Sequence, residues 1–342
     1  MMRRLALIPV AILLVLAVQM ACDTRSDVDN SKPTHFGFQR SISTSLIEEG
    51  KLAYANYCVG CHGPAGDGNG EAALFLHPRP RNFINANFKF SSTRSGQLPT
   101  DDDLKRTIRR GLKGSAMPSF KLLPDRTIDG LIAYLKTLSP KWKEYDAPVP
   151  VPMVDDPYRR LTDKSAAIRR GEAVYHGYAN CWSCHPAYVP EKKINEYQVA
   201  FGGQLREFFR PHLDRSEGKE NVEGELIYPP DFHRDFVRGG MTVDDLYRSI
   251  AAGITGTAMP TWIDSIDLPG KKPGDPPIVS RSDLWAIAYY VQSLISERPA
   301  LIAEGKFALR ERARPIYLHG EPPAPKESSE PATSQPAKNF DF

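Results

Sequence analysis

The sequence predicts an all-α protein of two tandem domains, each a set of short helices joined by long loops. Three observations carry that prediction: strand signals are scarce, apolar residues recur at helical spacing, and one half of the chain repeats the other. The repeat is direct. "DDDLKRTIRRGLKGSAMPSF" from Asp101 lies over "VDDLYRSIAAGITGTAMPTW" from Val243 without a gap, with ten identities in twenty positions. Both copies set Leu and Ile four apart, Leu104 and Ile108 in one and Leu246 and Ile250 in the other, as one face of a short helix requires. Each helix is expected to stop at a glycine, Gly111 or Gly253.

A second amphipathic helix closes each half, in "TIDGLIAYLKTL" and in "SDLWAIAYYVQSLI", where Leu284, Ile287, Val291 and Leu294 form the apolar stripe. The first helix is expected through "EEGKLAYANY", with Ser45 and Glu48 at capping-box spacing before it. Domains of roughly a hundred residues with so modest a core would gain much stability from a large group to pack around.

The 342 residues suffice for two such domains once the ends are set aside. Residues 1–21 read as an export signal: Arg3 and Arg4 precede an apolar run from Leu5 to Val18, and Ala21 stands before Cys22. That run falls short of the roughly 18 to 20 residues of a spanning helix, so removal after export and a periplasmic location are expected. Residues 22–43 form a polar tether, 44–139 the first domain and 140–163 a linker whose five prolines favour an extended chain. The second domain spans 164–297, and 298–342 is a proline-rich polar tail expected to be disordered. A net charge of +3 gives no reason to expect nucleic acid as a partner.

The chemistry lies in the cysteines. Cys58 and Cys61 stand in "CVGCH", Cys181 and Cys184 in "CWSCH", and Cys22 stands alone. In CxxCH both thiols add across the vinyl groups of a haem and the histidine is delivered to its iron, so two covalently attached haem c groups are expected, with His62 and His185 as axial ligands. A zinc site would want its pairs some 15 to 20 residues apart, and a redox dithiol would want a strand leading in. Neither fits pairs that lie in separate repeats, each behind a helix.

The second axial ligand should recur at one place in both repeats. Met117 in "GSAMPSF" and Met259 in "GTAMPTW" do so, and a thioether is a soft ligand that favours ferrous iron. His77, His212 and His233 could ligate iron in principle, but none has a counterpart in the other half. Arg79, Arg81 and Arg94 carry two readings, bidentate contacts to haem propionates or a solvated basic loop.

These motifs resemble class I c-type cytochromes, here as a tandem dihaem protein, over residues 44–139 and 164–297. The resemblance implies a small helical domain wrapped around each haem, with a glycine of the first helix meeting an aromatic of the last: Gly50 with Tyr134, and Gly171 with Tyr290. "FKFSSTRSGQLPTDDDL" is similar to a segment that in such cytochromes runs past the haem toward the methionine loop. The surroundings of Cys22 resemble a bacterial lipoprotein signal, which implies lipidation of Cys22 and attachment to a membrane, although Gln19 stands where that signal has an aliphatic residue.

Two haems with both axial positions filled imply single-electron transfer and no enzyme activity, with no small-molecule substrate and with redox proteins of a respiratory chain as partners. A dihaem peroxidase is the alternative, as is a cytochrome subunit docked in a larger complex. The halves differ in charge, with 13 Lys and Arg against 9 Asp and Glu over residues 44–139 and 16 against 18 over 164–298. Arg109, Arg110 and Lys113, just before Met117, are therefore expected to offer a basic rim to an acidic partner. The second half also places 73 residues between histidine and methionine against 54 in the first, which suggests two potentials or two partners.

Overall fold

A computed structural model describes residues 44–298. The export signal, Cys22, the tether and the tail beyond Arg298 lie outside the described residues. The first half carries α1 (Thr44–Tyr57), a short α2 (Val59–His62), α3 (Asp101–Arg110), α4 (Asp125–Thr137) and a short α5 (Lys141–Glu144). The second carries α6 (Ser165–Ala173), α7 (Glu191–Ala200), α8 (Val243–Ala252) and α9 (Asp283–Ser296). The chain is helix-rich. A two-residue antiparallel pair, β1 (Lys219–Glu220) with β2 (Leu226–Ile227), sits in the insertion of the second half and is a small departure from an all-α reading.

In each half the first helix crosses the last at a glycine. A Cβ on Gly50 would stand 1.8 Å from the Gly130 carbonyl oxygen, and one on Gly171 would stand 2.0 Å from that of Ala286. Only glycine permits two helix backbones to approach so closely. The aromatic partner lies one turn beyond each crossing. Tyr134 packs on Tyr54 with ring centroids 5.2 Å apart, and Tyr290 packs on Tyr175 at 5.6 Å. Tyr134 therefore meets the first helix through Tyr54, while Gly50 itself meets Gly130.

The repeated helix is capped alike in both halves. Thr100 accepts from the Asp103 amide and Thr242 from the Asp245 amide, at 3.1 and 3.2 Å. Gly111 and Gly253 end these helices with φ of 65° and 77°, where a side chain would be strained. α1 begins at Thr44, so Ser45 lies inside the helix and not at its cap.

Two apolar clusters result. The first gathers Tyr54, Phe83, Phe88, Leu104, Ile108, Ile128, Leu131 and Leu135; the second is larger and is built around Val174, Tyr175, Tyr247, Trp285 and Ile287. The proline-rich stretch between them is extended but packed. The Val151 amide donates to Ser92 O at 2.7 Å while the Val151 side chain is buried in the second cluster, and Trp285 Nε1 donates to Val154 O at 2.9 Å. Ion pairs also join the halves, Arg94 to Asp264 at 2.7 Å, Arg110 to Asp245 at 2.9 Å and Arg81 to Glu223 at 3.0 Å.

Candidate haem-binding sites

Both CxxCH motifs fold as the same tight turn. The His62 amide donates to Cys58 O and the His185 amide to Cys181 O, each at 2.9 Å, and the four cysteines are free thiols. Each histidine is then oriented by a carbonyl from a distant loop. His62 Nδ1 lies 2.9 Å from Arg81 O, and His185 Nδ1 lies 3.0 Å from Pro230 O. A carbonyl can only accept, so Nδ1 carries the proton and Nε2 keeps a lone pair available to iron. Two residues after each carbonyl a phenylalanine stacks on the imidazole, Phe83 on His62 at 4.4 Å and Phe232 on His185 at 4.9 Å.

Burial favours the neutral, ligating form of both rings. It lowers His62 against the opposing effect of its bond to the Arg81 carbonyl, and it drives His185 down to about 4. A buried tyrosine ties the carbonyl after each histidine: Tyr54 Oη donates to Gly63 O at 2.7 Å, and Tyr175 Oη to Pro186 O at 2.9 Å. Tyr54 precedes Cys58 by four residues, whereas Tyr175 precedes Cys181 by six. A wide π-turn at Val174–Tyr178 takes up the difference and restores the bond.

The methionine loops are copies in their hydrogen bonds. Leu112 N donates to Met117 O at 3.1 Å and Ile254 N to Met259 O at 3.2 Å. Ser115 Oγ and Thr257 Oγ1 donate to Leu112 O and Ile254 O, at 2.7 and 2.8 Å, and accept from the amides of Met117 and Met259. Met117 and Cys58 both pack against the first cluster, and Met259 and Cys181 against the second. The first thiol of the motif, its histidine and the methionine thus border one apolar cluster in each half.

The residues fit haem on an independent observation. Trp142 Nε1 is buried against the first cluster with no hydrogen-bond partner among the described residues, an arrangement that costs free energy unless an acceptor such as a propionate meets it. Lys89 and Arg238 likewise make no hydrogen bond or ion pair among the described residues, and loss of solvent lowers the pKa of each. Neither was expected from the sequence.

The arginines singled out by sequence are placed as follows. Arg94 gives Nε and Nη2 to Asp264 at 2.7 and 2.9 Å, Arg81 gives Nη1 to Glu223, and Arg79 gives Nη2 to Asn69 Oδ1 at 3.4 Å. The basic rim is largely spent inside the molecule. Arg110 pairs with the buried Asp245, Arg109 with Asp125, and Lys113 lies 4.8 Å over the Phe236 ring. Of the competing histidines, His233 Nε2 is 3.5 Å from Glu297, and His212 is an exposed loop residue with φ of 54°. His176, which sequence reading passed over, is fully buried. It spends Nδ1 on Glu172 O at 2.9 Å and accepts the Tyr188 amide on Nε2 at 3.3 Å, so it is a structural pin.

Comparison with known proteins bears on this reading. The family model described as cytochrome C oxidase, cbb3-type, subunit III matches residues 45–135, which supports a c-type cytochrome and implies covalently bound haem c. A chain of the Kuenenia stuttgartiensis reducing HAO-like protein complex Kustc0457/Kustc0458 is 29% identical, with a TM-score of 0.54, and the match covers 72% of this chain and 96% of that one. No curated protein matches. The Kuenenia chain corrects one expectation. A carrier with no enzyme activity was expected, but this neighbour belongs to a hydroxylamine oxidoreductase-like haem complex, so the relatives are enzyme-related. The family model over residues 45–135 supports a c-type cytochrome domain and haem electron transfer.

Proposed function

We propose that the chain binds two haem c groups, one through Cys58 and Cys61 and one through Cys181 and Cys184, and conducts single electrons as a component of an exported haem enzyme complex. The observation that carries this reading is the duplicated ligand geometry: both histidines are held by a carbonyl and a stacked phenylalanine, and both methionine loops share one hydrogen-bond pattern. Bound haem supplies one-electron chemistry at its iron. The protein supplies the rest. His62 and His185 present Nε2, Met117 and Met259 present thioethers, and the apolar clusters exclude water from both. Trp142, Lys89 and Arg238 are the donors proposed for propionates, with Arg79 the least committed of the three arginines foreseen from sequence. Lipidation of Cys22 would hold the chain at a membrane.

A haem-content assay on the exported full chain is the test. Two covalent haems per chain, and a ferric long-wavelength band that falls by half in Met117→His and again by half in Met259→His, are expected. One haem, or a high-spin iron in the untouched protein, would overturn the dihaem His/Met reading.

A further inference from the structure

The two motifs satisfy equivalent carbonyls by different means. In the first half the glycine-rich loop does so through backbone amides: Ala72, Gly70 and Gly68 donate to Gly60 O, Cys61 O and His62 O at 2.9, 3.2 and 2.9 Å. In the second half the Glu217 amide donates to Cys184 O at 2.8 Å, but His185 O, the counterpart of His62 O, is taken by a side chain from the insertion. That side chain also takes Trp182 O, the counterpart of the Val59 O that accepts the Gly63 amide at 2.8 Å in the first half. Arg210 donates Nε to Trp182 O and Nη2 to His185 O, both at 2.9 Å.

The same guanidinium donates to the insertion itself, Nη1 to His212 O at 2.9 Å and Nη2 to Arg215 O at 2.6 Å. Phe209 and Arg206 pack on the Trp182 ring at 5.4 and 5.1 Å, and the Ala187 amide donates to Leu213 O at 2.6 Å. Arg210 forms no ion pair with any described residue and brings a positive charge to the motif, where the Asp231 carboxylate acts on His185 in the opposite sense. The corresponding donor of the first half, the Gly68 amide, is neutral.

We propose that Arg210 is a positioning residue for the second haem site, fastening the insertion over CWSCH and raising the reduction potential of the iron held there by His185. Ferric iron carries one more positive charge than ferrous, so a fixed cation close by, poorly screened at a partly buried position, favours the ferrous state. The inference rests on haem attachment at Cys181 and Cys184. It makes the two haems unequal through a residue that has no counterpart in the first half.

Full-length holoprotein carrying R210Q or R210K, titrated optically against potential with haem content and limited proteolysis measured alongside, tests it. The second haem's wave is the one displaced in Met259→His. Both variants lose the planar fork, so faster cleavage between residues 203 and 217 is expected for each. R210Q should lower the second midpoint by about 59 mV, a tenfold change in the ferrous-to-ferric ratio at fixed potential for a one-electron couple, while R210K keeps the charge and stays near the parent value. An unmoved midpoint in R210Q, or equal falls in both variants, overturns the inference. If R210Q loses its second haem, R210K decides: a parent-like midpoint with faster cleavage supports the proposal, and a full tenfold fall overturns it. A parent protein without haem at Cys181 and Cys184 would instead overturn the function proposed above.

Discussion

The loop after Cys58 and the loop after Cys181 reach one geometry by two routes. The first follows the motif with "GPAGDGNG", whose glycines let the backbone double back and place its own amides on the motif. The second has "PAYVPEKKINEY" there, too stiff to double back, and a side chain arriving from 25 residues beyond His185 supplies the donors. The π-turn at Val174–Tyr178 is the same lesson on the other side of the motif, because two extra residues are absorbed so that Tyr175 still meets Pro186 O. What is held constant is a donor on the last two carbonyls of the motif, those of Cys61 and His62 in one half and Cys184 and His185 in the other, and the element that provides it is free to vary.

The sharpest way to break this comparison is at the helix crossings, where both halves obey one rule. Gly50→Ala and Gly171→Ala should each cost about 3 kcal/mol or more, because the added methyl would sit inside a carbonyl contact that backbone alone defines. Denaturant midpoints would show it. A cost in one half only would mean that the other crossing can open.

His176 belongs to the second half alone. Burial lowers it from 6.5 to about 4, so folding favours the neutral ring: its contribution is complete above pH 6.5 and is lost as pH falls toward 4. The loss amounts to roughly 3 kcal/mol across that window, and H176Q should flatten the stability profile there. An unchanged profile in H176Q would show that the ring titrates elsewhere.

Asp103 and Asp245 bond back to the capping threonines Thr100 and Thr242 of equivalent helices, but only Asp245 also binds a residue of the other half, Arg110. Asp103→Ala and Asp245→Ala should each cost about 2 kcal/mol through the lost cap and the stranded i,i+3 arginine. Only the second should also raise proteolysis of the linker. Arg110→Ala, at a guanidinium still 59% exposed, should cost no more than about 0.5 kcal/mol. Between these two, Tyr54→Phe and Tyr175→Phe each remove one buried donor, at about 1 kcal/mol read from thermal midpoints. A larger cost at Tyr175 would mark the π-turn as dependent on that bond.

Much of the fold was legible because periodicity and duplication are local. The α3 and α8 pair, their glycine stops and the closing helices stand where the apolar spacing placed them. The proposed haem ligands stand out in the sequence for the same reason. The carbonyls of Arg81 and Pro230 were not, although "PRNF" and "PPDF" repeat a pattern around them that could have been noticed. Their distance from the histidines differs between the halves, and a backbone acceptor leaves no mark on side-chain identity.

The chain by itself determined the residue types that carry the chemistry, the repeat that pairs them and the helices that present them, since each depends on neighbours within a few positions. Tertiary structure decided which charges remain available. Arg109 and Arg110 read as part of a basic rim and Arg94 as a propionate contact or a solvated loop residue, yet each faces a carboxylate brought in from elsewhere in the chain. Arg210 carries no mark in the sequence, and three-dimensional packing placed it on the backbone of CWSCH without an ion-pair partner among the described residues. The physical reason is range: a helix signal is complete in a dozen residues, whereas the worth of a charge depends on what folding brings within about 4 Å of it.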